Sequence, residues 1–327
     1  MSDGTKVELQ NVAENIAWEE NERELAVRLN LTLRDVETAD GGRLAAKLAL
    51  CTEVYLFAEW DDSEHEVFRG TIWQWEHSQM HGDQIIVTCY DRLYYLQKSQ
   101  DNRFFAKKTT TKTVIKKLLE SAKYTLGEYT APDVKHGKLL YKGKTLAVML
   151  TDTLKDADEK VDEKAGTPNK TKSFIRATKD VVDVIIRGGN EVVYGLYAGQ
   201  NIISSNDRFS MTELVTRVMI TGKEDKNKKP KVSATVNGKT EYGIIQVLHS
   251  RGDTTLKEAK KAAQKILDEK GKPKRTTTIK AAEFPGIRKG DKVYAETDEM
   301  VGYFYVVGIS HNATNAEMQM EVEPEDE

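Results

Sequence analysis

Only two cysteines, Cys51 and Cys89, stand among 327 residues. Two thiols cannot build a disulfide framework, so a chain of this length is expected to hold together by its core. Both lie in apolar, strand-like segments, and each is expected to be a small buried hydrophobe. Histidine is scarce as well, with six in the chain. His77 and His81 are four apart, a spacing at which a helix can share a metal. They fall where a strand runs into a turn, with no third ligand near in sequence, and His65, His136, His249 and His311 are isolated. No metal and no cofactor are therefore expected. The longest apolar run is far short of a membrane span. The opening MSDGTKVELQ lacks the basic-then-apolar order of a secretory signal, so assembly in the cytoplasm is expected. There is no Gly-x-Ser-x-Gly elbow, no P-loop, no Rossmann fingerprint and no carboxylate pair with a supporting pattern. That shifts the expectation from an enzyme to a binding or structural protein. Arg251-Gly252-Asp253 matches an adhesion tripeptide, but Asp253 is read as a helix cap.

Hydrophobic residues make up 39% and charged residues 31%, a composition that suits a globular chain of two or three domains. The charge is unevenly spread. Residues 1–105 hold 10 lysines and arginines against 20 acids, and the remainder holds 39 against 32. An acidic opening part argues against nucleic acid as its partner, since phosphate repels it. Such asymmetry suits oriented docking between protein surfaces.

In chain order, Val12 to Asp35 reads as paired strands, with Leu25, Val27, Leu29, Leu31 and Leu33 in strict alternation. Lys47 to Trp60 supplies another strand, with Val54, Leu56 and Ala58 on one face. Lys107 to Ala122 is an amphipathic helix with threonine caps before it. It is read as packing on the fold, with a membrane surface as the alternative. Lys144 to Glu163 is a second helix, its acidic end expected in solvent and its stop placed at Gly166-Thr167-Pro168-Asn169. Strands are expected at Phe174–Arg176, Val181–Arg187 and Glu191–Tyr197. Asn237-Gly238, between Val232–Val236 and Thr240–Leu248, predicts a type I′ hairpin. Thr255 and Glu258 form a capping box for a helix to Lys270. Strands follow at Thr276–Ala281, Lys292–Glu296, Gly302–Ser310 and Glu317–Glu323, and the acidic end from Glu323 is expected to be disordered.

The most informative stretch runs from Glu66 to Phe105. Alternation places Trp73 and Trp75 on one face of a strand and Phe68 and Ile72 on the other. Gly82-Asp83 marks a turn. Ile85 to Tyr90 is apolar on both faces, which predicts burial on both sides. Leu93 and Leu96 then change the period to a helical turn that would seal a barrel end. The order is Phe68-Arg69-Gly70, an aromatic strand, a turn, Cys89-Tyr90-Asp91, then Leu93-Tyr94-Tyr95-Leu96. It resembles the hub proteins of contractile phage tails and prophage-derived tail particles of the XkdQ type. The late control protein D of temperate phages and the type VI secretion spike protein are more distant likenesses. Further carriers are Gln200–Ser204 with Thr216-Arg217-Val218, then Gly286–Val293, Gly302–Val306, Ser310-His311, Met318 and Met320.

The resemblance and the strand spacing together give an α+β, mainly β fold. It would comprise two small antiparallel β-barrel domains, 1–106 and 201–323, a small α+β domain at 107–200, and an acidic tail at 324–327. The resemblance implies a homotrimeric baseplate hub whose barrels alternate into a pseudo-sixfold ring. That ring would join a hexameric tail tube protein to a trimeric spike protein beside other baseplate proteins, such as a LysM-bearing one. Interface candidates are Trp73, Trp75, Tyr94 and Tyr95, with no catalytic residue. A carbohydrate-binding, adhesin-like β protein and a cell-wall hydrolase stand as alternatives.

Overall fold

The computed structural model describes residues 7–325 apart from positions 23, 39–40, 79–82, 168–169, 225–229 and 253. The expectations for His81, Gly82, Pro168-Asn169, the heart of the charged loop before Pro230, and Asp253 lie outside the described residues. The chain forms two compact units, one of residues 1–205 with 278–327, the other of residues 206–277.

In the first unit, β1 (Ala13–Glu20) and β2 (Arg28–Arg34) pair antiparallel, Trp18 opposite Leu29. β3 (Glu53–Trp60), β4 (Ser63–Ser78) and β5 (Gln84–Asp91) continue the sheet in the order β1-β2-β5-β4-β3. The alternation read from the sequence holds here: Leu29, Leu31 and Leu33 are buried with Ile85, Val87 and Cys89 beneath the sheet. Burial on both faces of β5 does not hold, because Ile86 is 46% exposed. Cys51 is also exposed, in a left-handed turn (φ 64°) before β3, whereas burial pushes the Cys89 thiol up to about 12.

α1 (Leu93–Lys98), β6 (Gln100–Phe105), α2 (Thr111–Ser121), β7 (Thr125–Tyr129), β8 (Leu139–Thr145) and α3 (Leu146–Ala165) follow. Thr110 caps α2, Thr145 caps α3, and Gly166 ends α3 in the left-handed conformation at φ 74°. Leu93 and Leu96 do not seal a barrel. They are fully buried against Ile115, Leu119, Met149 and Leu150, so the turn after β5 anchors the helices to the sheet. β9 (Ser173–Thr178) and β10 (Val181–Ile186) make a small sheet with β7. The acidic end of α3 is solvated at Glu163 and Lys164 but not at two aspartates: Asp158 accepts from Ser173 N–H at 2.8 Å and Oγ–H at 2.7 Å, and Asp162 accepts from Thr171 Oγ–H at 2.6 Å. Those two aspartates tie the start of β9 to the helix, and burial pushes the Asp158 carboxyl up to about 6.

β11 (Tyr194–Tyr197) and β12 (Ile202–Ser210) lead to the second unit, which holds β13 (Arg217–Glu224), β14 (Pro230–Asn237), β15 (Gln246–Ser250) and α4 (Leu256–Lys270). The capping box on α4 forms as expected. Ala259, Ala263 and Leu267 pack on Val218 and Ile220. The Asn237-Gly238 hairpin does not form. β13 lies between antiparallel β14 and parallel β15, and Gly238 N–H bonds Thr216 O at 2.9 Å as the chain crosses to the far edge. The central place goes to β13 because it carries the apolar pair Val218 and Ile220 that α4 covers.

β16 (Lys274–Ala282), β17 (Lys292–Glu296), β18 (Val301–Asn312) and β19 (Glu317–Pro324) complete the chain. The class is α+β and mainly β, as read from the sequence, but the strands do not close into two barrels. The sheet path β12-β16-β19-β18-β1-β2-β5-β4-β3 is open, with β17 on β18 and β11 on β17. The reason lies in the twelve residues of β18. One edge runs along β19; the other is shared between β17 at 301–305 and β1 at 309–312. Opening and closing strands therefore merge into one sheet. Against the expected disorder from Glu323, Glu325 is held in place, accepting from Lys292 Nζ at 2.7 Å and Tyr305 OH at 2.8 Å.

Among the described residues, no helix is long and apolar enough to cross a membrane.

Candidate functional site

Ile72 pairs with Cys89 and Gln74 with Thr88, so Trp73 is the extra residue of a β-bulge in β4. One inserted residue reverses the side-chain phase beyond it. Trp73 and Trp75 therefore do not share a face, against the simple alternation. Trp75 joins Phe68 and Ile72 in packing on the core, whereas Trp73 turns to the other side.

There the structure gathers three of the four interface candidates. Trp73 meets Tyr94 edge-on at 4.6 Å and Tyr95 at 4.9 Å, and Tyr94 stacks on Tyr90 at 3.8 Å. Lys98 Nζ lies 4.7 Å from the Tyr94 ring. Trp73 and Tyr94 are half-buried and Tyr95 is 37% exposed. The Trp73 indole N–H is buried without a hydrogen-bond partner. A half-covered aromatic group with one outward tyrosine is suited to a protein contact, because it offers large area at little conformational cost.

A second feature escaped the sequence reading. Between β1, the β3–β4 turn, β9 and the loop before β17 lies a cavity of about 430 Å³. Its floor is ionic. Arg288 Nε donates to Glu20 Oε1 at 2.8 Å, and Arg69 grips Glu66 with two bonds of 2.9 and 2.7 Å. Behind Arg288, Lys289 Nζ donates to the carbonyls of Asn21 and Glu24 at 2.9 Å each, and Arg176 pairs with Asp291 at 2.6 Å. Burial alone would raise the Glu20 carboxyl; the charge and hydrogen bonds of Arg288 overcome it and hold Glu20 at about 2. Partners 268 residues apart leave no local pattern to read. His311 closes the back of this region. It stacks on Trp18 at 4.6 Å, with Nδ1 2.7 Å from Glu283 and Nε2 3.1 Å from the Ile287 carbonyl.

Asp91 is buried nearby with one oxygen accepting Leu93 N–H at 3.0 Å and the other unpartnered. Burial pushes its carboxyl up to about 7 from 3.8, against the pull of two backbone N–H groups. The folded state binds a proton that the unfolded state has lost, so stability falls as pH rises from about 4 to about 7. Asp91→Asn is expected to raise the melting midpoint at pH 8 and leave it nearly unchanged at pH 4. Thermal unfolding at the two pH values checks this; an equal shift at both would refute it.

Thr111, His136 and Asp156 have the outline of a nucleophile–base–acid chain: Thr111 Oγ1 lies 2.9 Å from His136 Nε2, and Nδ1 lies 2.6 Å from Asp156. Thr111 and His136 are both buried, however, and the Thr111 hydroxyl also reaches the Val134 carbonyl and N–H. The group fastens the segment around Val134 to α2 and α3. His77 Nε2 lies 3.4 Å from Asp35, and among the described residues no group of three metal-ligating side chains forms.

A family model described as YQBQ-like matches residues 16–324. No curated protein matches the chain. Among solved structures, the fold is similar to the 43 kDa tail protein of prophage MuSo2 from Shewanella oneidensis. That match has a TM-score of 0.66 and 12% identity, covering 95% of this chain and 94% of that one. It is similar to the tail protein from Neisseria meningitidis MC58 at TM-score 0.62 and 15% identity, covering 96% and 93%. The E. coli c3393 protein, described as a type VI secretion component, matches at TM-score 0.55 and 10% identity, covering 98% and 77%.

Proposed function

The chain belongs to the YQBQ-like family, and from that premise we propose that it is a structural baseplate hub of a contractile tail or tail-like particle. The observation that carries this reading is a fold shared with two tail proteins over more than nine-tenths of both partners' chains. The role is non-catalytic. The chain assembles in the bacterial cytoplasm as a homotrimer and presents a pseudo-sixfold ring. That ring seats a hexameric tail tube on one side and a trimeric spike on the other. A subunit with two similar β modules resolves a sixfold-to-threefold mismatch that identical contacts cannot. The working modules are 1–106 and 201–323, with 107–200 as the connecting part. Trp73, Tyr94 and Tyr95 form a contact for a baseplate partner, with Tyr95 its outward anchor; Trp75 supports them from the core.

Light scattering after size exclusion is expected to give a trimer, and a larger complex once tube and spike proteins are added. A chain that stays monomeric and binds neither would sink the proposal. Tyr95→Ala is expected to weaken one of these associations at least tenfold with an unchanged melting midpoint, as loss of an aromatic anchor does.

A further inference from the structure

We propose that the outer face of the β6–β8 ribbon docks on the β3–β4 hairpin of a second copy of this chain. The contact rests on the trimeric reading and is the one that joins its subunits. Among the described residues, β6 and β8 form a sheet of two strands. Phe105, Leu139 and Tyr141 turn into the core, which leaves Phe104 and Leu140 opposite each other on the bare face. They are 56% and 57% exposed. Lys138 Nζ lies 5.2 Å from the Phe104 ring, so the apolar pair has a cationic border. An outward apolar pair rimmed by charge marks an interaction surface.

That border is wide. Residues 104–144 hold ten lysines, all exposed, against Glu120, Glu128 and Asp133, a net of +7. Among the described residues only Lys116 of the ten has a carboxylate partner, Glu120 at 3.8 Å. The segment has no arginine, which suits attraction between surfaces rather than a bidentate grip on phosphate. Its counterpart is an acidic surface with apolar groups of its own. The chain itself carries one. Residues 53–66 hold six acids and no lysine or arginine, a net of −6. Arg69 grips Glu66, whereas Glu53, Glu59, Asp61, Asp62 and Glu64 are exposed and, among the described residues, in no ion pair. Glu59 and Glu64 stand directly opposite each other across the hairpin and repel until a cation is supplied. On the same face of β3 as Glu59, the exposed rings of Tyr55 and Phe57 stack at 6.4 Å. β3 is the last strand of its sheet, so the hairpin is open to a neighbour. The two patches differ, so the contact is head to tail, and three identical contacts of this kind can close a ring.

The test is light scattering after size exclusion of the full chain over a dilution series. Lys138→Glu with Lys142→Glu is expected to weaken self-association about tenfold or more, as is Glu59→Lys with Glu64→Lys. Joining all four changes restores it, because opposite signs meet again. Phe104→Ser weakens it severalfold. Lys257→Glu with Lys260→Glu, at exposed positions of α4, makes the same change in net charge elsewhere and leaves association as it was. Melting midpoints stay near that of the parent chain. Should a charge pair unfold the chain, salt decides instead: association falls between about 0.05 and about 0.5 M, and equal strength at both overturns the contact. A trimer indifferent to the ribbon and hairpin changes, or no recovery in the four-residue variant, overturns the contact and leaves the trimeric reading standing. A chain that never self-associates overturns both.

Discussion

Arg288→Met is expected to lower stability by about 3–5 kcal/mol, the cost of leaving one member of a buried ion pair behind. Glu20 is 4% exposed, and Arg288 is the cation that neutralises it at contact distance. The guanidinium also donates to the Ala177 carbonyl at 3.2 Å, so one side chain fastens β1 to β9. The melting midpoint should fall by roughly 6–20 °C. Adding Glu20→Gln to Arg288→Met should restore part of the loss, because it removes the stranded charge; no recovery in the double variant would refute the ion-pair account. The pH dependence has a definite sign. Glu20 sits at about 2 when folded against an ordinary 4.5, so its stabilising share is complete above pH 4.5. It is lost as pH falls from about 4.5 to about 2. In Arg288→Met that part of the acid limb should shrink.

Gly70→Ala is expected to cost about 3 kcal/mol, the upper range for overpacking. A Cβ there would overlap the Tyr90 carbonyl oxygen, lie 2.7 Å from its carbon and 2.5 Å from Phe68 Cζ. The obstruction on one side is backbone in the middle of the sheet, where β4 pairs Gly70 with Asp91 and with Val54 of β3. Nothing there swings away as a flexible side chain would. Gly137→Ala is the control, since no atom lies within 4 Å of its would-be Cβ. Chemical denaturation of the two variants should separate them by several-fold in ΔΔG; equal effects would show that β4 and β5 yield more readily than the geometry implies.

The sequence was most legible where a single period ran unbroken. Leu29, Leu31 and Leu33 point inward as alternation requires, and Val114, Ile115, Leu118 and Leu119 are buried as helical spacing requires. Threonine caps and the Thr255–Glu258 box were read correctly because capping is local chemistry. Failures came where the outcome depends on distant partners. A bulge at Trp73 is set by β5, not by β4 alone, so Trp75 changed sides. Asn237-Gly238 is a favourable turn sequence, yet the centre of that small sheet went to the strand α4 could cover. Two closed barrels were expected because strand spacing says how many strands there are, not which edges meet. Of the candidate contact, Trp73, Tyr94 and Tyr95 were visible in advance. The cavity was not, since its lining is drawn from four separate parts of the chain. Even so, Arg69, Asp91, Arg288 and His311 lie within the stretches that carried the resemblance, and all four prove to be buried or ion-paired groups.

The pairing of β1 with β18 bears on synthesis. β1 finds β2 almost at once, but its other edge waits for Ile309–Asn312. At about 5–20 residues per second, a ribosome needs roughly 15–60 seconds to supply them. Throughout that interval the nascent chain displays a bare strand edge beside Trp18, an open template for a neighbouring polysome product. Chaperone demand should thus peak late in translation, and premature termination after the second unit should yield aggregates rather than a soluble fragment.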